Sequence, residues 1–229
     1  MIPIRDSTFS KEAPIVTWTL LGLNALIYFW DRGGRLLGAS QAFSDLAMHP
    51  REVVLAVLGR GDPSELGKIF TAMFLHGSLA HLIGNVLFLL AFGPNVEAAL
   101  GGARYALYYV FWGVCAFAAQ IFVDPSAEMS VLGASGAIGG VLGAYFLLFP
   151  GNKVRILIPP FFWWTFDVSA FLLLGAWFLW QILLPQDGVA TWAHAGGFVA
   201  GMATILILGG RQKVLTGAKF EEDQDFFER

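Results

Sequence analysis

The chain has 229 residues, 56% of them hydrophobic and only 14% charged, with a mean hydropathy of +0.64. A soluble domain carries about 25% charged residues, so these figures exclude one and describe a polytopic membrane protein. A net charge of -3 without a basic stripe excludes a nucleic-acid-binding surface, and the lone Cys115, inside an apolar run, excludes an intramolecular disulfide and reads as inert packing.

In chain order, Arg5 and Lys11 precede an apolar stretch from Ile15 to Trp30. That stretch is bulky and shows no small-residue cleavage site before Asp31, so it is read as a retained first span rather than a signal peptide. Six apolar segments, at roughly 14–31, 80–99, 104–123, 135–149, 165–184 and 190–209, are long enough or nearly long enough to cross a bilayer. Backbone groups in lipid must be satisfied within their own segment, so all six are expected to be helices. The predicted fold is an all-α membrane protein, a bundle of six transmembrane helices over 14–209. A cytoplasmic segment (1–13) precedes the bundle and a charged cytoplasmic tail (210–229) follows it. Within the long first loop, 32–79, Ser44 to Leu58 is amphipathic and is expected at the interface or packed on the bundle. Gly59-Arg60-Gly61-Asp62-Pro63 reads as a turn. Glu97, closing the second span, is expected to anchor the following Gly101–Arg104 loop. The fourth span covers only about 22 Å, which places its first residue, Ser135, below the membrane surface. The charged tail from Arg211, with its acidic run Glu221–Asp225, is expected to be frayed and solvated. Lys and Arg cluster at the termini and in the even-numbered loops, with the exception of loop 32–79, and this places both termini in the cytoplasm. No internal repeat of the kind an inverted-repeat transporter carries is visible.

Polar side chains are costly in hydrocarbon, and here they fall into a pattern. His76, His81 and Asn85 stand at the start of the second span, Ser135 at the start of the fourth, and His194 near the start of the sixth. These three spans run in the same direction, so their starts share one depth. Ser135 lies between small residues in Gly133-Ala134-Ser135-Gly136, at a helix start that leaves its own N–H unpaired. A nucleophile and an oxyanion donor can therefore come from one residue, in a region that favours negative charge. His81 and Asn85 are spaced i, i+4 and face the same way; both can donate to an oxyanion. Gly197 and Gly201 make a small-xxx-small face, answered on the fourth span by Gly136, Gly139, Gly140 and Gly143. Close approach of the two helices would bring His194 toward Ser135. No His-Glu-x-x-His occurs, His76 and His81 lie on different faces, and Asp167 sits alone at the predicted start of the fifth span, so neither a metal site nor an aspartyl pair is expected.

Three stretches in this order, His76-Gly77-Ser78-Leu79-Ala80-His81-x-x-x-Asn85, Gly133-x-Ser135-Gly136 and Ala193-His194-x-x-Gly197-x-x-x-Gly201, resemble the rhomboid family of intramembrane serine proteases. Gly93-Pro94-Asn95-Val96-Glu97 is similar to the family's segment at the end of the second span. The resemblance covers roughly residues 66–204. It implies a six-helix core, a Ser135–His194 dyad without a third acid, and an oxyanion held by the Ser135 N–H with His81 and Asn85. His76, Gly133, Gly136, Gly197, Gly201 and Glu97 would play supporting parts. It implies transmembrane protein substrates cleaved within the lipid bilayer, no metal and no other cofactor. The compact layout suits a bacterial plasma membrane; substrate identity and oligomeric state are not specified. Two departures stand out. Gly67-Lys68 occupies the place of a Trp-Arg pair common in the first loop, and Gly139 the place of a tyrosine that stacks on the histidine in some members. Either another aromatic, such as Trp192, orients His194 in its place, or the imidazole is less restrained. The aromatic fifth span is the expected lateral gate. The alternative to a protease is a catalytically silent rhomboid-like protein that binds transmembrane helices. A small channel or transporter would need paired acids or repeat symmetry.

Overall fold

The computed structural model describes residues 2–38, 43–158, 161–184, 186, 188–223 and 226. The chain opens with strand β1 (Ile2–Asp6) and a short β2 (Thr8–Phe9), then enters helix α1 (Ile15–Asp31). The first loop holds α2 (Pro50–Val57) and a single turn, α3 (Lys68–Thr71), joined by the Gly59 turn at a φ of 68°. Helices α4 (Leu79–Leu100), α5 (Gly102–Val123) and α6 (Ser135–Leu148) follow. A hairpin of β3 (Lys153–Ile158) and β4 (Phe161–Ser169) leads into α7 (Ala170–Leu183), α8 (Thr191–Ile207), the short α9 (Gly210–Leu215) and β5 (Glu221–Glu222).

Two helices, α4 and α5, are long and apolar enough to cross a membrane, at 22 residues each. The other apolar helices, α1, α6, α7 and α8, have 17, 14, 14 and 17 residues. At 1.5 Å per residue α6 measures about 21 Å. Helix α6 is the axis of the bundle. Eleven of its residues are buried, Gly136 and Tyr145 among them, and it packs on α8, α5, α4 and α7. Its closest neighbour is α8. A Cβ on Gly197 would stand 2.0 Å from the Gly136 carbonyl oxygen, and one on Gly201 2.0 Å from that of Gly140, so the two backbones touch. Gly139 and Gly143 face α8 in return, whereas Gly136 and Gly140 turn their Cα hydrogens to Ala116 and Trp112 of α5. The small residues of α6 thus serve two seams rather than one.

The expectation of an all-helical chain needs correction. Strands β1, β3 and β4 form an antiparallel sheet in the order β1-β3-β4, with Arg5 opposite Arg155 and Arg155 opposite Asp167. Residues 165–169, assigned by hydropathy to the fifth span, are strand, and the helix begins at Ala170. Alternating β-branched residues at Val154, Ile156 and Ile158, a Pro159-Pro160 break and an aromatic run favour a hairpin at that place. Asp167 is accordingly a strand residue, hydrogen-bonded to Arg155 at 2.7 and 2.9 Å, not a helix end. The tail is not frayed where it is described: β5 pairs with β2, Asp223 pairs with Arg5 (2.5 Å), and Phe226 is buried beneath the Arg155 guanidinium. Residues 224, 225 and 227–229 of that expectation lie outside the described residues.

Glu97 also departs from expectation. Its backbone carbonyl accepts from Gly101 N, but its buried carboxylate turns to α1, where Val16 N (2.9 Å), Thr17 N (2.7 Å) and Thr17 Oγ1 (2.7 Å) donate to it. Pro14 offers α1 no side-chain cap. A carboxylate from α4 supplies one instead, satisfying two orphan donors at the positive end of the helix dipole.

Candidate active site

Ser135 is the first residue of α6. The first bond within that helix is Ile138 N to Ala134 O (2.9 Å), which makes the N–H groups of Ser135, Gly136 and Ala137 first-turn donors. Gly133 just ahead holds a φ of 124°, a conformation suited to glycine. A Cβ there would lie 2.8 Å from His81 Nε2 and 3.5 Å from Ser135 Oγ. The missing side chain leaves a gap flanked by an imidazole and a hydroxyl. Gly133 N donates to Ala72 O (2.8 Å), which ties this turn to the first loop.

His194 Nε2 stands 2.8 Å from Ser135 Oγ. Its other ring nitrogen, Nδ1, stands 2.8 Å from Gln181 Oε1 on α7. An amide oxygen only accepts, so Nδ1 carries the proton and Nε2 keeps a lone pair toward the hydroxyl; the tautomer is assigned from this network. The Trp177 ring lies against the imidazole at 5.9 Å between centroids and 33° between planes. The aromatic that flanks His194 therefore comes from α7, not from Trp192. A Cβ on Gly139 would meet the His194 carbonyl oxygen at 2.7 Å, too close for a tyrosine between these two backbones. The start of α8 is held by α5, whose Gln120 Oε1 accepts from Ala193 N (3.2 Å), one of the orphan donors of the helix start.

On α4, whose start is capped by Ser78 Oγ accepting from His81 N (3.1 Å), His81 and Asn85 face the same cavity as Ser135 and His194. The cavity measures about 490 Å³ and is roofed by residues 129–132 and 188–190. His76 Nε2 is 2.9 Å from Asn85 Nδ2, and its Nδ1 is 3.3 Å from Phe74 O. These contacts make Nδ1 the donor and Nε2 the acceptor, so His76 holds one Asn85 N–H and leaves the second available. Burial, with the nearby His81 and Arg32 adding to it, pushes His76 down to about 3 and keeps it neutral. The His76 and His81 rings meet edge to face, 5.2 Å apart.

Ser135, His194, His81 and Asn85 therefore line one cavity, with Gly133 beside His81 and Ser135 and His76 bonded to Asn85. Gly136, Gly197 and Gly201 lie in the seams that bring the helices together. Glu97 lies toward the other end of α4, away from the cavity. Among the described residues no group of three or more His, Cys, Asp or Glu is placed to hold a metal ion. Sequence reasoning missed Gln181 and Arg32, and read Trp177 as part of the aromatic fifth span rather than as a neighbour of His194. Gln181 had a signal: an amide within an apolar span is costly unless it has a partner.

The sequence agrees with this geometry at the level of family. Residues 63–211 match the Rhomboid domain model, so the chain belongs to the rhomboid family of membrane-embedded proteins, several of whose members are named proteases. It is 24% identical over 218 residues to Rhomboid protein 1, mitochondrial, of Saccharomyces cerevisiae, covering 82% of this chain and 62% of that one. It is 29% identical over 144 residues to RHOMBOID-like protein 5 of Arabidopsis thaliana (61% and 43% covered) and 29% identical over 152 residues to rhomboid protease GluP of Bacillus subtilis (66% and 28% covered). In each case the match spans less than two thirds of the relative's own length.

Proposed function

We propose that this protein is an intramembrane serine endopeptidase that cleaves peptide bonds in or near the transmembrane segments of other membrane proteins. The observation that carries the reading is the 2.8 Å contact between Ser135 Oγ and His194 Nε2 inside a cavity that also holds His81 and Asn85. As Ser135 Oγ attacks the scissile carbonyl carbon, its proton passes to His194 Nε2. The imidazolium so formed is met by the Gln181 amide oxygen at Nδ1, a dipole where soluble serine proteases use a carboxylate. The carbonyl oxygen becomes an oxyanion in the gap that Gly133 leaves open, within reach of donors from the Ser135 N–H, His81 and Asn85. His194 then gives its proton to the leaving amine, and a water deprotonated by the same imidazole hydrolyses the acyl ester.

In this reading all six apolar helices span the bilayer, with both termini and the sheet on the cytoplasmic side, as the placement of Lys and Arg supports. The site then opens below the outer surface; the support for a bacterial plasma membrane is the compact six-span layout. A fluorophosphonate probe applied to the purified protein tests the nucleophile. Ser135 should be the labelled residue, and His194→Ala should abolish labelling in a folded protein. An unlabelled wild type would instead favour a silent helix-binding member of the family.

A further inference from the structure

The residues that hold the histidine segment ahead of α4 come from the end of α1. Lys68, also in the first loop, pairs within its own turn with Glu65 Oε1 at 2.7 Å. Arg32 instead reaches across. It is 1% exposed, and its Nη2 donates to the carbonyl oxygens of His76 (2.9 Å) and Gly77 (3.0 Å). Its Nη1 donates to Asp31 Oδ2 (2.9 Å), its Nε to Gly38 O (3.2 Å), and the guanidinium lies 3.9 Å from the centre of the Tyr28 ring. Asp31, 3% exposed, also accepts Phe43 N on Oδ1 (2.9 Å).

Burying such a pair carries a desolvation cost, so stability alone is a weak reason for its presence. What the pair does achieve is geometric. One guanidinium nitrogen clamps the carbonyls of His76 and Gly77 just before the cap of α4, and the first of the two belongs to the residue whose ring reaches Asn85. His76 Nε2 accepts Asn85 Nδ2, and its ring meets His81 edge-on. We propose that Arg32, aimed by Asp31, is a positioning residue for the His81–Asn85 donor pair. It fixes the His76–Gly77 backbone so that His76 takes one Asn85 N–H and the other faces the cavity. This rests on the hydrolase reading above.

Arg32→Lys keeps the charge and loses the planar fork. In proteoliposomes with a model transmembrane substrate, kcat should fall about 10- to 100-fold, short of the loss from removing an oxyanion donor outright, with KM within about twofold. Asp31→Asn should act in the same direction and carries the test if Arg32→Lys does not fold. In an Asn85→Ala background Arg32→Lys should add less than about a further twofold, because the two residues act through one contact. A merely structural Arg32 would lower both backgrounds by the same factor, and that result, or an unchanged kcat, overturns the proposal. A second readout does not need activity: the ¹⁵N shifts of the His76 ring in micelles should move toward a tautomer mixture in Arg32→Lys. An unmoved signature also overturns the proposal, whereas a wild type that neither labels nor cleaves overturns the hydrolase reading itself.

Discussion

At the scale of single residues, the proposed chemistry turns on how a buried histidine is held without an acid. His194 has an amide oxygen at Nδ1 and an indole beside its ring, both from α7. Gln181→Leu removes the acceptor and leaves the Nδ1 proton buried and unpaired. We expect kcat to fall by about 10- to 100-fold with KM little changed, since the lost contact strengthens only as the imidazole gains charge. Steady-state cleavage kinetics of the folded variant check this, and an unchanged kcat would mean that Trp177 alone orients the ring. Ser135, His194, His81 and Asn85 were legible because polar side chains stand out in apolar sequence and fell at helix starts of one polarity. Gln181 was equally visible but stands near the end of its span, so a pattern built on helix starts passed over it. Arg32 was hidden for the opposite reason: a charged residue at the end of an apolar run reads as a snorkelling interface residue, and only the folded loop shows it buried.

Among the elements, the pair α6 and α8 sets the distance between serine and histidine, and glycine sets the distance between the helices. Gly197→Ala would drive a methyl to within 2.0 Å of the Gly136 carbonyl, a backbone atom that cannot swing aside. Thermal unfolding in micelles should show a loss of about 1–3 kcal/mol with cleavage reduced as the seam opens. Gly175→Ala on α7, whose Cβ would meet only the Phe146 ring at an ordinary 3.6 Å, should be neutral or gain up to about 1 kcal/mol. Equal effects at the two positions would contradict the packing argument. The repeating small residues of this seam were readable as a pattern, though not that Gly136 and Gly140 also serve α5. The sheet was not readable. Hydropathy does not separate an apolar strand from a helix, and one partner of β3 is β1, about 150 residues away by the pairing of Arg5 with Arg155.

For the whole molecule, the end opposite the cavity is held by Asp6. Its carboxylate accepts from Tyr145 Oη on α6, Asn95 Nδ2 on α4 (2.6 Å), Asn152 Nδ2 (3.0 Å) and Thr8 N (3.2 Å), which ties β1 to the helix that carries Ser135. Burial raises its pKa above 3.8, against the pull of those hydrogen bonds. The native state therefore holds this proton more tightly than the unfolded chain. The contribution is complete below the ordinary carboxylate value and declines as pH rises through the raised one. Melting temperatures followed from about pH 4 to about pH 8 should fall more steeply with rising pH in the wild type than in Asp6→Asn; parallel curves would contradict this. Helix content and the helix starts that carry the candidate site were legible from composition and spacing, and the family from the resemblance of its motifs. The N-terminal strand and the paired tail were not, because their partners lie far along the chain. All of this positions one hydroxyl against one imidazole. The most direct test is cleavage of a transmembrane substrate in proteoliposomes by the wild type, Ser135→Ala and His194→Ala. The account predicts product from the wild type alone; product from either variant, or from none of the three, would contradict it.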